Sequence, residues 1–489
     1  MKTKTWKKML SCALYALLAV VVCTMASCSD DNEQPFGPKG DPFDPSKPVT
    51  VTKFTPESGG AGQQLVIYGT NFGNDTSLVS VTIGGQPAKV VSVAGTSLYC
   101  LVPKKAGTGE IEVTLRQHST EKTGVCEKAF NYLPSKVVGT LCGYRNENDD
   151  QGWHDGPFST VTGFAMDGWM KFDPHPDYNH RLYVVYDGGD IKMLDMEKQE
   201  VTTPITRSLF GNKRLRTIDF TNDYKHMLVA VDFDGNGERS ASVYVLDRNE
   251  ETGLFENPQE ICAYKQCNGA SIHPVNGELY FNSYQRGQVF RMELDDYFLS
   301  AGSGQSWITY SCYEELFTIQ DTSWEFQIDI HPSGNYAYIV VINQHYILRT
   351  DYNWAEKRFA PPYVVVGESR SAGWVDGVGT TARLNRPYQG IFVKNPDYVA
   401  EGRDDVYDFY IADCNNHCLR KLTPEGILST YAGRGSTSLN AEVWGMVEGD
   451  LRDEARFRDP TGLAYDEVNQ VLYINDRDNR RIRKISYEE

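Results

Sequence analysis

Hydrophobic and polar positions alternate with a period of two along residues 49–133, in short runs separated by turn residues. The runs read VTVTKF, QQLVIYG, LVSVTIGG, AKVVSV, SLYCLVP, GEIEVTL and AFNYL. Alternation of this kind puts the apolar side chains on one face of a β-strand, and turns at intervals of about 8–12 residues are typical of a β-sandwich. We therefore predict a small sandwich over residues 49–133.

A different pattern fills residues 136–489, where sets of short apolar runs recur along the chain. Six such sets follow one another, and each predicts three strands with a further strand, such as LSTYAG, behind them. The sixth set ends at Ile485 without that further strand, and an unassigned strand, VVGTLCG, stands at residues 137–143 ahead of the first set. The pattern predicts that this early strand completes the last set, which would remove an exposed edge.

Both regions resemble known families. The stretches FTPESGGAGQQLVIYGTNFG, VTIGGQPAKVVS and LVPKKAGTGEIEV are similar to the immunoglobulin-like TIG (or IPT) domain. The segments DGVGTTARLNRPYQGIFV and EGDLRDEARFRDPTGLAY, each followed by a strand pair, resemble NHL repeats, which build β-propellers. The resemblance implies an all-β protein, with a TIG sandwich at 49–133 and a six-bladed NHL-type propeller at 136–489, closed by the N-terminal strand.

The first 27 residues have the features of a targeting segment, with four lysines followed by an apolar stretch too short to predict a membrane span. The sequence MASC that ends at Cys28 resembles a bacterial lipobox, which implies a signal peptide at 1–27 and lipidation of Cys28. The acidic run SDDNE follows and resembles the surface-export signal of lipoproteins from glycan-foraging anaerobic Gram-negative bacteria. We expect a lipid-anchored protein of the outer membrane that faces outward on an acidic, proline-rich tether at 28–48.

Charge narrows the choice of partners. The chain carries a formal net charge of −17, and loss of the lysine-rich leader would make it more negative still. A surface of this charge repels nucleic acid and anionic lipid, so we expect no nucleic-acid partner and membrane contact only through the anchor. Aromatic residues make up 12% of the sequence, which suits the capture of neutral ligands such as sugars.

Three loops with a shared motif are the candidate ligand-binding positions. The motifs GWHDG, GWVDG and GMVEG each precede the first strand of a predicted blade. A tryptophan ring can stack on the apolar face of a sugar, and the neighbouring acid can accept hydrogen bonds from hydroxyls. Alternatively, these residues pack between blades as part of the repeat. The candidates, which we expect to share one face of the propeller, are Trp153, Asp155, Trp374, Asp376 and Glu448.

Two further motifs suggest chemistry without defining it. Asp232, Asp234 and Asn236 match the first half of a calcium-binding loop, although the twelfth position lacks the required glutamate; calcium is the only cofactor suggested, and a polar turn is the alternative. Cys414 and Cys418 lie on a predicted hairpin, where a disulfide, two free thiols and metal binding are open alternatives.

Histidines that precede or follow proline are candidates for the channel or its rim, and a repeated turn is the alternative interpretation. They are His175, His273 and His331. No Walker loop, GxSxG elbow or HExxH motif occurs.

The sequence thus favours a non-catalytic surface lipoprotein whose propeller binds a ligand, with a glycan preferred, beside an outer-membrane importer. A propeller enzyme of the lyase or lactonase type and a protein-interaction scaffold are the alternatives.

Overall fold

The computed structural model describes residues 40–143, 153–232, 241–263, 266–294, 313–436 and 442–488. Contacts divide the chain into two compact units, with the division between Pro134 and Ser135. The predicted signal peptide at 1–27 and the predicted lipidation site Cys28 lie outside the described part. Within the described part, no helix has both the length and the apolar character needed to cross a membrane.

The first unit is a β-sandwich whose hydrogen bonds join the strands in the order β1-β3-β6-β5-β4-β7-β8, with a parallel pair of β2 and β9. Leu65 and Ile67 on β3 are fully buried and alternate with exposed or half-buried neighbours, as the period of two predicts. The strands are β1 (Thr50–Thr55), β2 (Ser58–Gly59), β3 (Gln64–Thr70), β4 (Val79–Ile83), β5 (Gln86–Val93), β6 (Ser97–Leu101), β7 (Ile111–Gln117), β8 (Thr120–Val125) and β9 (Asn131–Tyr132).

The end of the predicted tether packs against this sandwich. Phe43 is 6% exposed and belongs to the sandwich core. The side chain of Asn71 donates to the carbonyl oxygens of Asp44 and Lys47 at 2.9 and 3.1 Å, and accepts from the Asp44 N–H at 2.8 Å. The last residues of the segment predicted as a tether at 28–48 therefore contact the sandwich, through one apolar side chain and the hydrogen bonds of Asn71.

The second unit is a six-bladed β-propeller. The strands of its first three blades and of the closing segment are β10 (Lys136–Cys142), β11 (Gly156–Pro157), β12 (Gly168–Phe172), β13 (Arg181–Tyr186), β14 (Ile191–Asp195), β15 (Glu200–Ile205), β16 (Arg214–Phe220), β17 (His226–Asp232), β18 (Ala241–Arg248), β19 (Phe255–Ala263), β20 (Ala270–Ile272), β21 (Leu279–Ser283), β22 (Gln288–Met292) and β23 (Tyr313–Thr318). Blade 1 comprises β11–β15, blade 2 comprises β16–β19 and blade 3 comprises β20–β23.

Blades 4 to 6 follow the same plan, and a short helix, α1 (Pro396–Glu401), connects β30 to β31. Their strands are β24 (Phe326–Ile330), β25 (Tyr336–Val341), β26 (Tyr346–Asn353), β27 (Arg358–Phe359), β28 (Tyr363–Gly367), β29 (Gly377–Val378), β30 (Pro387–Lys394), β31 (Tyr407–Asp413), β32 (Cys418–Leu422), β33 (Ile427–Gly433), β34 (Gly449–Asp450), β35 (Pro460–Asp466), β36 (Val471–Asp476) and β37 (Arg481–Tyr487). Blade 4 contains β24–β28, blade 5 contains β29–β33, and blade 6 contains β34–β37 together with β10.

Burial differs between the two units because a blade is covered on both faces by its neighbours. Every residue of β13 and of β25 is buried, whereas sandwich strands are buried on alternate residues. The first strands of successive blades contact one another in the order β12, β16, β20, β24, β30 and β35, and β35 contacts β12 again. The six first strands therefore form a closed ring around a central channel.

The closing strand is the one that the sequence predicts. Strand β10 pairs antiparallel with β37, with Val138 opposite Ile485 and Gly139 opposite Lys484. Val138 is 2% exposed and packs in the core between blades 5 and 6. The two ends of the propeller sequence thus meet in one blade, which confirms the predicted closure.

This closure predicts a large effect from one substitution. In Val138→Asp a carboxylate replaces a buried side chain in the closing strand, so we expect the propeller to lose on the order of 3 kcal/mol of unfolding free energy. Thermal unfolding followed by circular dichroism measures the loss. The matched control is Val378→Asp, because Val378 lies on a short edge strand and is 55% exposed. Equal melting temperatures for the two variants would contradict the closure argument.

Candidate functional site

One position of the first strand recurs in all six blades. This position is defined by its partner on the second strand. The partner is a tyrosine in five blades and Leu228 in blade 2. We call these six residues the channel ring. They are Lys171, Asp219, Ser271, Asp329, Ile391 and Ala464.

All six residues of the channel ring line a cavity of about 890 Å³ in the centre of the propeller. Its mouth lies among the hairpins between first and second strands, where Pro174, Asn222, Pro274 and Pro332 contribute to the lining. Half-buried aromatic side chains surround the mouth, among them Phe172, Tyr224, Phe392 and Tyr465. The volume lies at the upper end of the range that is usual for small-molecule sites.

The channel ring has a polar half and an apolar half. Blades 1 to 4 contribute a lysine, two aspartates and a serine, whereas blades 5 and 6 contribute Ile391 and Ala464. Lys171 Nζ donates to Asp219 Oδ1 at 2.5 Å, so these two charges are paired. Ser271 Oγ donates to the carbonyl oxygen of Ile328 at 2.6 Å. Of the four polar residues in the channel ring, Asp329 is therefore the one without an ion pair or hydrogen bond of this kind within the described part of the chain.

The carboxyl group of Asp329 lies in an environment that favours its protonated form. Burial raises the pKa of Asp329 well above its usual value; Lys171 opposes the shift and Asp219 adds to it. Among the described residues, Asp329 Oδ2 has no hydrogen-bond partner, although the atom is almost inaccessible to solvent. A protonated carboxyl can both donate and accept a hydrogen bond, so this side chain can bind a hydroxyl group.

A first strand leaves one backbone edge unpaired toward the channel, and neighbouring side chains bond to that edge. Gln389 Oε1 accepts from the N–H groups of Met170 and Leu463 at 2.9 and 2.8 Å, and Gln389 Nε2 donates to the Met170 carbonyl at 2.8 Å. In this way Gln389 joins blades 5, 6 and 1 across the channel. Asp219 Oδ2 does the same for blade 3 when it accepts from the Ile272 N–H at 2.9 Å.

Charged side chains close the channel at the end away from the mouth. The fully buried guanidinium of Arg216 in blade 2 forms ion pairs with Asp187 of blade 1 at 3.1 Å and Glu325 of blade 4 at 3.0 Å. Arg386 and Arg477 both bind Asp167, at 2.6 and 2.7 Å. These contacts connect several blades, and the residues that line the cavity lie on the hairpin side of them.

The candidate loops of the sequence analysis lie elsewhere, along the outer edges of blades 1, 5 and 6. Each loop adds a two-residue strand to the outermost strand of its blade: β11 pairs with β15, β29 with β33, and β34 with β10. The glycine after each acid has positive φ, with values of 149°, 159° and 115° for Gly156, Gly377 and Gly449. Backbone conformation therefore explains why glycine follows the acid in each motif.

The three acids perform the same local task. Asp155 accepts from the Thr203 hydroxyl at 2.7 Å, Asp376 from the Thr430 hydroxyl at 2.9 Å, and Glu448 from the Thr140 hydroxyl at 2.6 Å. Each threonine belongs to the outermost full strand of its blade. The acids thus fasten the short edge strand to the blade, and the three loops run along the rim instead of sharing one end face.

The two tryptophans also contact their own blades. The Trp153 ring packs edge-on against Phe164, with centroids 4.9 Å apart, and Lys192 Nζ lies 4.1 Å from its centre. Trp374 Nε1 donates to Thr430 at 2.9 Å, and the guanidinium of Arg434 lies 3.9 Å from the ring centre. Trp374 remains 41% exposed, so one ring is available to solvent on the outer edge.

The calcium motif is only partly described. Asp232 is buried within 3.6 Å of Arg214 and 3.7 Å of Arg216, whereas Asp234 and Asn236 lie outside the described residues. Across the described ranges, no three His, Cys, Asp or Glu side chains converge as metal ligands.

Cys414 and Cys418 are separate, buried thiols in the structure. Burial raises the pKa of the Cys414 thiol to about 12, which makes the thiolate scarce near neutral pH. Around them, Asp413 and Arg420 form a fully buried ion pair at 2.9 Å, and the sixth blade repeats it with Asp476 and Arg483 at 3.1 Å. The segment that contains both cysteines is a structural hairpin of the repeat.

The histidines near the prolines belong to the hairpin turns. His273 is fully buried, and its Nε2 lies 3.0 Å from the Gly334 carbonyl oxygen. His331 stacks on Tyr336, with centroids 4.4 Å apart, and lies 3.3 Å from Asp405. The neighbouring prolines, and not these imidazoles, line the mouth of the cavity.

A TIG domain followed by a six-bladed propeller defines the class of protein. The family model described as IPT/TIG domain matches residues 48–132. The NHL repeat-containing protein 2 of Bos taurus is 30% identical over 117 residues, which span 24% of this chain and only 14% of that relative.

Three solved Bacteroides structures match both units. A Bacteroides thetaiotaomicron protein provisionally named a phosphatase is 49% identical, with a TM-score of 0.85 over 92% of this chain and 99% of its own. An auxiliary nutrient binding protein of the same organism is 44% identical, with a TM-score of 0.76 over 92% and 100%. Another, from Bacteroides ovatus, is 38% identical, with a TM-score of 0.67 over 92% and 100%. This chain belongs to the same family as these Bacteroides proteins.

The channel ring was missed from the sequence because its members share a position and not a residue type. The tyrosine that faces the ring from the second strand in five blades is a signal that could have located it. Asp-Gly motifs were easier to see, but they mark edge strands.

The contacts of the two tryptophans lead to a stability prediction. We expect the double variant Trp153→Ala, Trp374→Ala to lower the melting temperature, since each ring contributes about 1 kcal/mol of packing. Calorimetric unfolding would measure it, with Trp324→Ala as the control, because Trp324 matches Trp374 in exposure, at 40% against 41%, but has no hydrogen bond or ring contact within the described ranges. An unchanged melting temperature, combined with lost affinity for a glycan, would instead place the ligand on the outer edge.

Proposed function

We propose that this protein is a non-catalytic lipoprotein of the outer membrane that faces the cell exterior and binds a glycan in the channel cavity. The observation that carries the proposal is the cavity itself, which combines a polar half-ring, an apolar half-ring and an aromatic mouth. Sugars present the same combination of hydroxyl edges and apolar ring faces. The bound glycan would be passed to an outer-membrane importer.

The relatives support the binding part of this proposal. Two family members bear the name auxiliary nutrient binding protein and match nearly the whole of both chains. Residues of rigid strands and short hairpins form the cavity, and such a scaffold suits reversible capture without large rearrangement.

The charge of the mouth agrees with a neutral ligand. Glu197, Asp466 and Glu467 lie at the mouth, and Lys171 in the channel ring is paired with Asp219. An anionic ligand would therefore meet like charges without a free cation in the ring to compensate.

The aromatic residues at the mouth provide the direct test. Tyr224 and Tyr465 line the cavity from blades 2 and 6, on either side of blade 1. We expect the double variant Tyr224→Ala, Tyr465→Ala to bind a glycan selected on an array about thirty-fold more weakly, at roughly 1 kcal/mol per ring. Isothermal titration of the purified full-length protein would measure this.

Tyr363→Ala is the matched control, because Tyr363 is 51% exposed and does not line the cavity. Equal affinities of the control and the double variant would move the site away from the channel. Hydrolysis of a phosphate ester by the purified protein would favour the phosphatase name of the other relative and would overturn the non-catalytic proposal.

The anchoring part of the proposal has its own test. Cys28→Ala should release the protein from the membrane fraction or leave its precursor uncleaved, because the proposed lipid attaches to that sulfur. Labelling with a radioactive fatty acid and fractionation of cells would show it. A processed, lipid-labelled Cys28→Ala protein would contradict the assignment, and full resistance of the propeller to protease added to intact cells would contradict the outward orientation.

A further inference from the structure

The channel cavity is open at one end, and its polar groups are at depth. The hairpins between first and second strands form the mouth, and the channel ring lies three residues before the mouth residues Pro174, Asn222, Pro274 and Pro332. Trp169 and Gln389 lie two residues deeper again along their strands. Beyond them, Arg216 and its acidic partners occupy the closed end. A long polymer cannot pass through such a channel, so it can reach the ring only with an end.

Two buried polar atoms of residues that line the cavity lack hydrogen-bond partners among the described residues. One is Asp329 Oδ2 in the channel ring, and the other is Nε1 of Trp169, a residue that lines the cavity and is only 6% exposed. Buried polar groups without partners are costly and rare in folded proteins, and both of these atoms belong to side chains that line the cavity. One atom is an indole donor, and the other belongs to a carboxyl.

The two halves of the channel ring select the shape of the ligand. Lys171, Asp219 and Asp329 can bond to hydroxyls on one side, while Ile391 and Ala464 offer an apolar surface on the other. A pyranose has hydroxyls around its edge and C–H groups on its faces. Since Lys171 and Asp219 neutralise each other, a terminal sugar without charge fits better than a cation or an anion.

We propose that the channel ring binds the terminal sugar of a neutral glycan chain, inserted end-on, with Asp329 and the Lys171–Asp219 pair bonded to its hydroxyls. This inference rests on the proposed function and adds to it the part of the glycan that is recognised. The aromatic residues at the mouth would contact the sugars that follow.

Substitutions at Asp329 separate the roles of shape and charge. Asp329→Asn keeps a donor and an acceptor without charge, so we expect its affinity to stay within about threefold of the wild type. Asp329→Leu removes both, and we expect at least a tenfold loss, as for one hydrogen bond to a buried partner. Both variants should fold with an unchanged or higher melting temperature, because a buried carboxyl with an unpartnered oxygen is removed.

The experiment is calorimetric titration of the full-length protein with linear gluco-, xylo-, manno- and galacto-oligosaccharides of two to seven units, and with cyclic β-cyclodextrin beside maltoheptaose. We expect the linear series that binds to reach most of its affinity by three units, and we expect the cyclic ligand not to bind. Affinity that grows steadily to seven units, or equal binding of the cyclic ligand, would overturn end-on recognition.

The remaining outcomes distinguish this inference from the proposed function. If a glycan binds and the mouth variant weakens it while Asp329→Leu does not, the ring is not the subsite and the proposed function stands. If Asp329→Asn loses as much affinity as Asp329→Leu, the ligand requires a charged carboxylate, and the inferred bonding of a neutral Asp329 side chain to a sugar hydroxyl is wrong. If no saccharide of the panel or of the array binds, the proposed function fails together with it.

Discussion

The propeller depends on the pairing of β10 with β37, which joins residues separated by almost the whole length of the second unit. Without it, blade 6 would end in an unpaired strand and the ring of first strands would have a free end. The pairing completes blade 6, whose first strand β35 contacts both β12 and β30. Blade 6 thereby closes the ring of first strands that surrounds the cavity.

In the closed ring, one edge of each first strand faces the channel, and the backbone N–H and C=O groups on that edge need hydrogen-bond partners. Side chains provide these partners: Gln389 bonds to three backbone groups, and Thr217 and Thr461 accept from the N–H groups of Ala270 and Gly168. These polar residues in the channel therefore have a structural role, because they satisfy backbone hydrogen-bonding groups of neighbouring first strands. Asp329 differs from these residues because its Oδ2 has no hydrogen-bond partner among the described residues, while its side chain lines the cavity.

Much of the fold could be predicted from the sequence, because the alternation of strand residues and the similarity of the fifth and sixth repeats can both be seen in short stretches of sequence. The strand at residues 137–143 could be assigned to blade 6 because the sixth repeat lacks its fourth strand and this strand belongs to no other repeat. The site could not be predicted in the same way. Trp374 and Asp376 are conspicuous in the sequence, yet both bond to Thr430 at the blade edge. The channel ring is assembled from Lys, Asp, Ser, Ile and Ala, whose only common feature is register.

Register also explains why a repeat protein can have a site with a defined orientation. Six equivalent positions could have formed a symmetric ring, but the sequence places paired and unpaired polar groups in blades 1 to 4 and apolar groups in blades 5 and 6. The arginine clusters at the closed end are similarly unequal, since Arg216 contacts blades 1 and 4 while Arg386 and Arg477 meet at Asp167. The six blades place equivalent backbone positions around the channel. Because the side chains at those positions differ, one side of the channel is polar and the other is apolar. A ligand with the same two sides, such as a sugar ring, can then be held in one orientation.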